Sequence, residues 1–321
     1  MSAISFPGKV VALSGGIGGA KLALGLDRVL APGQLTVIAN TGDDFRHFGL
    51  HISPDIDTLL YTLSGLDDPV RGWGRRDETW TFMRAMGELG RESWFQLGDG
   101  DLAIHVERTR RLAAGETLSG ITDFLSRQLG IGSVIVPMSD DPVATQVDTE
   151  EGRLDFQQYF VRRRCEPRIV GLDFAGADEA RLASGAAAAL ADPDLALIVI
   201  CPSNPYLSVD PILAVPGLRA GLRAARAPVV AVSPIIAGQA VKGPTAKMMM
   251  ELGLVPSAAT VARHYAGLID MFVVDEADAG MDADMDAGAG VRMVAAPTLM
   301  RTLDDRTRLA RIVLGLAGER A

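Results

Sequence analysis

Short, continuously apolar segments separated by stretches of helical periodicity restrict the fold of this 321-residue chain more than any other feature. Lys9–Leu13, Leu35–Ala39 and Leu195–Ile200 are the clearest of these segments. Strands covered by helices on both faces are apolar throughout, whereas strands with one face in water alternate between apolar and polar residues. The pattern therefore predicts an α/β fold built on a doubly wound, mostly parallel sheet.

Other segments complete the predicted organisation. Five more are expected to be strands: Ser133–Pro137, Ile169–Leu172, Pro228–Val232, Met271–Val274 and Val291–Ala295. Thr145–Thr149 and Leu154–Val161 alternate as the two strands of a hairpin do.

Strand signals fade between about residues 66 and 131. Helical spacing replaces them in Trp80–Gly90, Leu102–Ala114 and Leu118–Gln128. We therefore expect residues 1–321 to form one α/β domain, with a mainly helical insertion at about 66–131. The acidic, glycine- and alanine-rich segment Asp278–Gly290 is expected to be a surface loop.

Composition excludes several classes of protein. The formal net charge of −9 and the aromatic content of 5% argue against a nucleic-acid partner, which would require a basic surface. No apolar run is long enough to span a membrane, and Met1–Lys9 lacks the layout of a signal peptide. Cys165 and Cys201 are too few for a disulfide framework. We expect a cytoplasmic protein without a membrane partner.

A glycine-rich segment, Ser14–Leu22, follows the first predicted strand. Gly15, Gly16, Gly18 and Gly19 would let a phosphate approach backbone N–H groups at the start of a helix, expected from about Ala20 to Leu30. Lys21 spoils the usual dinucleotide-binding pattern, and its neighbours spoil the P-loop pattern. A tight structural turn and a phosphate-binding loop both remain open, although the end of the first strand favours the second.

Acidic residues follow at two places. Asp44 ends the segment Asn40–Asp44, directly after the second predicted strand. Asp55 and Asp57 lie in the first turn of a predicted helix that begins after Ser53. Helix capping accounts well for Asp55 and is an alternative for Asp44. Asp44 and Asp57 together would suit Mg²⁺, which needs few protein ligands beside phosphate and water.

The remaining polar motifs are less specific. Two turns held by prolines, Cys201–Pro205 and Ser233–Gly238, follow predicted strands and suit either a structural turn or contact with a nucleoside. The four histidines lack the spacing of a zinc site, so each is expected to be structural or exposed. No motif for a serine or cysteine nucleophile is present.

Taken in order, these segments resemble the 2-phospho-L-lactate transferase family of coenzyme F(420) biosynthesis. The resemblance rests on eight segments in the same order: SGGIGGAKL, NTGDD, SPDIDTLLYTL, GWGRRDETW, LGDGDLAIH, PMSDDP, CPSNP and SPIIAGQAVKGPTAKMM. It implies a Rossmann-like, Mg²⁺-dependent homodimeric transferase. Such an enzyme moves 2-phospholactate, phosphoenolpyruvate or 3-phosphoglycerate from a guanosine diphosphate ester to the deazariboflavin FO and releases GMP.

The resemblance also implies residue roles. Asp44 and Asp57 would surround the metal ion and the reacting hydroxyl. The acceptor FO would contact Asn40, Thr41 and Asp57. The nucleotide would be held by residues of the glycine segment and of the later turn, namely Gly15, Gly16, Gly18, Gly19, Lys21, Ser203, Asn204 and Pro205.

One position departs from the family pattern. Gly100 stands where members usually carry Lys or Arg near the deazaflavin, so the acceptor contact there is expected either to be lost or to be replaced by a neighbour such as Arg75, Arg76 or Lys242. Phosphoryl-type transfer asks the protein for alignment and charge neutralisation, which agrees with the lack of a nucleophile motif. The alternative function is a nucleotide-sugar-binding regulatory protein of a related transferase-like group; a dinucleotide-dependent dehydrogenase is a weaker one.

Overall fold

The computed structural model describes residues 6–240, 243–280 and 291–318. A sheet of seven parallel strands lies at its centre and confirms the predicted doubly wound α/β fold. From one edge to the other the strands are β5 (Val134–Pro137), β2 (Leu35–Ala39), β1 (Lys9–Ser14), β9 (Leu195–Ile200), β10 (Val229–Val232), β13 (Met271–Asp275) and β14 (Arg292–Ala296).

The order of the strands creates a crevice between β1 and β9. The chain moves outward from β1 through β2 to β5, and then returns to the other side of β1 at β9. The turns that leave the carboxyl ends of these two neighbours therefore lead in opposite directions. Open α/β sheets bind their ligands at such a switch point.

The alternating faces of the central strands enter two separate cores. Val11 and Leu13 of β1 pack in one hydrophobic cluster, whereas Val10 and Ala12 pack in the other. All four are at most 1% exposed. A strand that is covered on both sides has no place for a polar face, which explains the uniformly apolar segments.

Helices cover both faces of the sheet. They are α1 (Gly16–Val29), α2 (Pro54–Ser64), α3 (Thr81–Glu88), α4 (Asp101–Ala113), α5 (Leu118–Gln128), α6 (Ser184–Leu190), α7 (Asp210–Ala214), α8 (Leu218–Ala224), α9 (Thr245–Glu251), α10 (Ala258–His264) and α11 (Leu303–Gly315). Helices α1, α2, α5 and α11 contribute to one core, and α6, α7, α8 and α10 to the other.

Antiparallel strands lie outside the central sheet. Short hairpins join β3 (Phe45–His47) to β4 (Leu50–Ile52) and β11 (Ile235–Ile236) to β12 (Gln239–Ala240). A three-stranded sheet has the order β7 (Gly152–Asp155), β6 (Ala144–Thr149) and β8 (Ile169–Ala175).

Two strand predictions need correction. Ile169–Leu172 belongs to β8, which pairs antiparallel with β6 and is no part of the central sheet. Its burial is uneven along the strand, because only part of it faces a core. The second strand of the predicted hairpin ends at Asp155, and a π-helical turn from Gln158 to Arg162 then buries Tyr159.

The predicted helices of residues 66–131 are present as α3, α4 and α5. Ile121 and Leu125 of α5 pack in the core on the β5 side of the sheet. This helix is therefore part of the layered fold rather than an appendage to it. Most of the acidic segment Asp278–Gly290 lies outside the described residues. Within the described part of the chain, no helix has the length and hydropathy of a membrane span.

Helix α1 begins four residues earlier than expected and crosses α11 at close range. A Cβ atom at Gly25 would lie 2.2 Å from the carbonyl oxygen of Arg306 and 3.3 Å from Cβ of Ala310. The absence of a side chain at Gly25 lets the two helix backbones approach each other. The distance between α1 and α11 therefore depends on the glycine at position 25.

We expect Gly25→Ala to lower the free energy of unfolding by about 1–3 kcal/mol, because overpacking must push α11 away from α1. Gly87→Ala in α3 is the matched control, since no atom lies within 4 Å of the added methyl group. That substitution should stabilise the protein by up to about 1 kcal/mol through helix propensity. Urea denaturation measures both, and equal effects of the two variants would contradict the packing argument.

Candidate active site

The start of α1 forms one wall of a cavity of about 380 Å³ at the β1–β9 switch point. The N–H group of Gly15 donates to Oγ of Ser203 at 3.2 Å, and that of Gly16 donates to Oδ1 of Asp55 at 2.6 Å. Gly15, Gly16 and Gly18 line the cavity. Two of the N–H groups considered for a phosphate therefore already have acceptors within the protein.

Three glycines are required by packing. A Cβ atom would lie 2.6 Å from Cβ of Ser208 if placed at Gly15, and 2.3 Å from the carbonyl oxygen of Pro202 if placed at Gly18. At Gly19 it would lie 2.5 Å from Oγ of Ser203. The structural turn predicted as one alternative is therefore present, and the same contact brings the start of α1 to the cavity. Phosphate binding by this segment stays a prediction.

The turn after β9 forms the opposite wall. Ser203 and Asn204 line the cavity, whereas Pro205 is buried and begins the next helical turn. Oδ1 of Asn204 accepts hydrogen bonds from the N–H groups of Tyr206 and Leu207 at 3.0 and 3.2 Å. This capping role fixes the Asn204 side chain at the cavity edge.

Lys21 lies on the cavity side of α1 and reaches across to the segment before α11. Its Nζ donates to the carbonyl oxygen of Met300 at 3.1 Å. Both Lys21 and Met300 line the cavity. Lys21 therefore lies at the cavity, where its contact with Met300 helps to set the position of its ammonium group.

A buried pair of carboxylates, Asp43 and Asp55, lies at the centre of the cavity wall. Nδ2 of Asn40 donates to both, at 3.2 Å to Asp43 and 2.9 Å to Asp55. Burial, and then the charge of Asp55, raises the pKa of Asp43 well above its ordinary value. Burial raises the pKa of Asp55 to about 6, although the hydrogen bonds from Asn40 and Gly16 oppose the shift.

The sequence singled out Asp44, but its neighbour Asp43 is the one that reaches the cavity. Oδ2 of Asp44 accepts from Oγ of Ser53 at 2.7 Å and lies 3.1 Å from Nε2 of His51. Burial raises the pKa of Asp44, and these two contacts oppose that shift. Asp44 is thus held behind the wall, because consecutive residues in the turn after β2 face opposite sides.

Asn40 and Thr41, predicted to contact the acceptor, are also buried behind the wall. The Asn40 side chain is occupied in full, since its Oδ1 accepts from the N–H of Gly42 at 2.8 Å. Its observable role is to orient the two carboxylates. Oγ1 of Thr41 has no hydrogen-bond partner in the described part of the chain.

Asp57 does line the cavity, and the completely buried Arg108 of α4 pairs with it through both carboxylate oxygens. Nδ1 of His105 lies 3.6 Å from Asp57, and Nε2 of the same ring lies 3.1 Å from Asp101. Burial works against the charge of Arg108, but Asp57 outweighs it and the pKa of Arg108 lies above its ordinary value. The negative charge of Asp57 is therefore balanced internally.

Sequence reasoning missed this α4 group. The sequence predicts a structural or exposed role for His105, and it does not identify Arg108 as the partner of Asp57. The spacing of Asp101, His105 and Arg108 offered a signal, because residues at i, i+4 and i+7 share one face of a helix. Three such polar residues on an inward face of a helix indicate a buried polar network.

The far end of the cavity is aromatic. Trp73, Phe95, Phe156 and Phe160 contribute to its walls. The rings of Phe156 and Phe160 are stacked, with centroids 5.2 Å apart. The cavity lining thus combines polar groups with flat apolar surfaces.

Arg75 is the predicted cation that the structure places beside Gly100. Its Cζ lies 3.2 Å from where a Cβ atom at Gly100 would be, and its NH1 donates to the Gly100 carbonyl oxygen at 3.4 Å. Arg76 lies 3.9 Å from the exposed Asp77 instead. Lys242 lies outside the described residues.

Comparison with known proteins places this site in a family. A profile of the family described as 2-phospho-L-lactate transferase CofD matches residues 10–297. The chain is 41% identical to a phosphoenolpyruvate transferase of Streptomyces griseus over 97% of this chain and 99% of that protein. It is 39% identical to a phosphoenolpyruvate transferase of Mycobacterium ulcerans, again over 97% and 99%.

Solved structures show the same fold at low sequence identity. Two crystal structures of one Bacillus halodurans protein align with TM-scores of 0.65 and 0.62. They are 16% identical to this chain and cover 96% of it and 99% of their own chains. One of them is described as a member of the UPF0052 family.

The seven-stranded sheet and the cavity at its switch point define a doubly wound α/β protein with a ligand-sized pocket. Within that class, the chain belongs to the 2-phospho-L-lactate transferase CofD family, because the family profile and the relatives span nearly all of it. The resemblance drawn from the eight sequence segments is thereby confirmed.

We expect Arg108→Met to destabilise the protein by about 3–5 kcal/mol, because it leaves the buried Asp57 without its counter-charge. Arg110→Met is the matched control on the same helix, since the Arg110 side chain is 61% exposed. Its loss should change stability by about 0.5 kcal/mol or less. Chemical denaturation measures the free energy of unfolding of both variants. A loss in Arg108→Met as small as that in Arg110→Met would refute the buried ion pair.

A second prediction concerns pH without added divalent cations. The folded-state pKa of Asp55, about 6, lies above its ordinary value of 3.8. The folded state therefore holds a proton that the unfolded state has lost, and this contribution to stability disappears as the pH rises from about 4 to about 6.

Asp55→Asn removes that titration. The free energy of unfolding of the wild type, minus that of the variant, should therefore fall across this pH range. Urea denaturation at several pH values measures the difference. A constant or rising difference would contradict the raised pKa.

Proposed function

We propose that this enzyme transfers the phosphoenolpyruvate group from its guanosine diphosphate ester to FO and releases GMP. The observation that carries the proposal is a single cavity that joins a helix start, a buried carboxylate pair and an aromatic end. The relatives named above are phosphoenolpyruvate transferases, which favours enolpyruvate over lactate or phosphoglycerate. A cytoplasmic homodimer remains our expectation for the assembly.

The two ends of the cavity suggest where the substrates bind. The guanosine diphosphate part suits the helix start at Gly16 and Gly18 together with Ser203 and Asn204, where the N-terminal end of α1 favours negative charge. The tricyclic deazaflavin suits the aromatic end near Trp73 and Phe160. Arg75, which lies beside Gly100, follows the cavity-lining residues Trp73 and Gly74 in the chain.

Asp43 and Asp55 are the residues that fit Mg²⁺. Each is buried at the cavity wall beside the other, and their mutual repulsion would be relieved by a divalent cation. Asp44 and Asp57, the metal ligands implied by the resemblance, are instead engaged with Ser53 and Arg108. Within the described ranges no group of three His, Cys, Asp or Glu side chains could hold a metal.

A set of two carboxylates is what Mg²⁺ takes when phosphate oxygens of a substrate and water complete its coordination. When bound, the ion would neutralise charge on the diphosphate as GMP leaves. The protein itself aligns the reactants, since Asn40 orients both carboxylates and Asn204 is fixed by its capping bonds.

We assign Asp57 to the reacting alcohol of FO. Its carboxylate faces the cavity and is paired with Arg108, and a carboxylate oxygen can accept a hydrogen bond from a hydroxyl group. Because Asp57 is buried and paired with Arg108, its carboxylate is held in place and can orient the FO hydroxyl for attack on the phosphorus atom. The bond from phosphorus to the GMP oxygen breaks as the bond to the FO oxygen forms, and the proton of the FO hydroxyl is released to water.

The alternative, a nucleotide-sugar-binding regulatory protein, finds support only in the likeness to the Bacillus halodurans structures, which concerns the fold. The relatives at about 40% identity, named as transferases, favour the enzyme. The carboxylate pair beside the aromatic end also suits transfer between two substrates.

The test is to combine the protein with FO, Mg²⁺ and the enolpyruvate ester of guanosine diphosphate. We expect stoichiometric release of GMP and formation of the FO phosphodiester, and chromatography measures both products. Asp43→Asn and Asp55→Asn should lower kcat by about a hundredfold or more, since both remove a metal ligand. Asp44→Asn is the matched control, and it should lower kcat by a smaller factor than the other two substitutions.

Thermal melting separates metal binding from activity. Mg²⁺ with GDP should raise the Tm of the wild type, and this shift should vanish in Asp55→Asn but persist in Asp44→Asn. If the Tm shift instead vanished in Asp44→Asn and persisted in Asp55→Asn, Asp44 rather than Asp55 would be the metal ligand. Absence of GMP with the enolpyruvate, lactate and glycerate donors alike would refute the transferase proposal.

A further inference from the structure

The loop between α2 and α3 carries a layered stack of side chains beside the cavity. The guanidinium carbon of Arg71 lies 5.3 Å from the centre of the Trp73 ring and 5.0 Å from the centre of the Trp80 ring. Trp80 in turn packs against the hydrophobic cluster that contains Ile52 and Met83. The function proposed above gives Arg71 and Trp80 no role.

Arg71 is held in this stack by the loop itself. Its Nε donates to Oδ2 of Asp68 at 2.7 Å, and its NH2 donates to the carbonyl oxygen of Arg75 at 2.8 Å. Oδ1 of Asp68 accepts from the N–H groups of Val70 and Arg71 at 2.8 and 3.0 Å. Because the guanidinium is fixed, its cation–π contact also fixes one face of the Trp73 ring.

Trp73 is the ring in the cavity lining that is best placed to stack on a ligand. It lines the cavity and is 48% exposed, although Arg71 covers one of its faces. Phe156 and Phe160 stack on each other instead, and Phe95 packs against another ring of the protein. The side of Trp73 away from Arg71 therefore offers a flat surface whose orientation is set before a ligand binds.

We propose that Trp73 stacks on the tricyclic ring of the acceptor, and that Arg71 is the positioning residue that holds Trp73 in place. The proposal rests on the proposed function and deepens it, because it chooses one ring of the cavity for FO and names the group behind it. Arg71 is not among the described residues that line the cavity, so it acts through Trp73. Stacking between flat rings is the interaction that such an arrangement favours.

The first test measures the Kd of FO by calorimetry without a donor. Trp73→Leu should raise this Kd by about tenfold or more, as for the loss of an aromatic side chain beneath a stacked base. Trp73→Phe keeps a flat ring and should recover part of the affinity. The Kd of GDP should change by less than about twofold in both variants. A larger loss for GDP than for FO would place the guanine base at Trp73 and overturn the proposal.

The second test concerns Arg71. Arg71→Met should raise the Kd of FO about three- to tenfold, because it removes the cation behind the Trp73 ring. Arg71→Lys keeps the charge and should lose less affinity. Arg84→Met is the matched control, since Arg84 is exposed on α3, and it should leave the Kd of FO unchanged. Equal losses for FO and GDP in Arg71→Met would mean that Arg71 supports the whole cavity, and they would overturn its positioning role.

The double variant shows whether Arg71 acts through Trp73. Adding Arg71→Met to Trp73→Leu should raise the Kd of FO by less than about twofold beyond Trp73→Leu alone, because the ring that Arg71 holds is already gone. Losses that multiply in full would show that the two residues act independently and would overturn the positioning role.

Binding of FO alone also separates this proposal from the proposed function. If the wild type releases no GMP but shows the expected losses of FO affinity in Trp73→Leu and Arg71→Met, the transfer reaction fails and the stacking site stands. If GMP is released and neither substitution changes the Kd or the KM of FO, the enzyme stands and the stacking site is overturned. A wild type that does not bind FO would overturn the stacking site as well.

Discussion

The close contact between the start of α1 and the turn after β9 is the constraint on which the rest of the structure depends. Gly18 and Gly19 let these segments touch where the chain changes direction across the sheet. A side chain at either position would separate the two walls of the cavity. The glycines therefore serve the architecture first, and the ligand site is a consequence of the contact they permit.

The cavity gathers negative charge in an unusual distribution. Asp57 is neutralised by Arg108, whereas Asp43 and Asp55 share one amide donor and are left with raised pKa values. Burial of unneutralised acids reduces stability, so the folded protein maintains them at a thermodynamic cost. Such a cost is typical of functional sites, where groups are arranged for a ligand rather than for the fold.

Much of the fold was readable from the sequence, because central parallel strands must be apolar on both faces. One exception was β8, whose short segment Ile169–Leu172 resembles a central strand until its partners are known. In the site, the sequence predicts that the acidic segment after β2 is functional. Whether Asp43 or Asp44 points into the cavity depends on the conformation of the turn, which the sequence does not show. Arg108 lies 51 residues from Asp57, and no local pattern connects such distant partners.

Arg75 beside Gly100 shows how a missing side chain can be replaced from elsewhere in the chain. The cation stands on the loop before α3, while the position it fills belongs to the start of α4. Glu78 of the same loop lies equally close, so position 100 is bordered by one charge of each sign. A substitution in this loop can accordingly change the charge beside position 100 while the helix that bears Arg108 is left untouched.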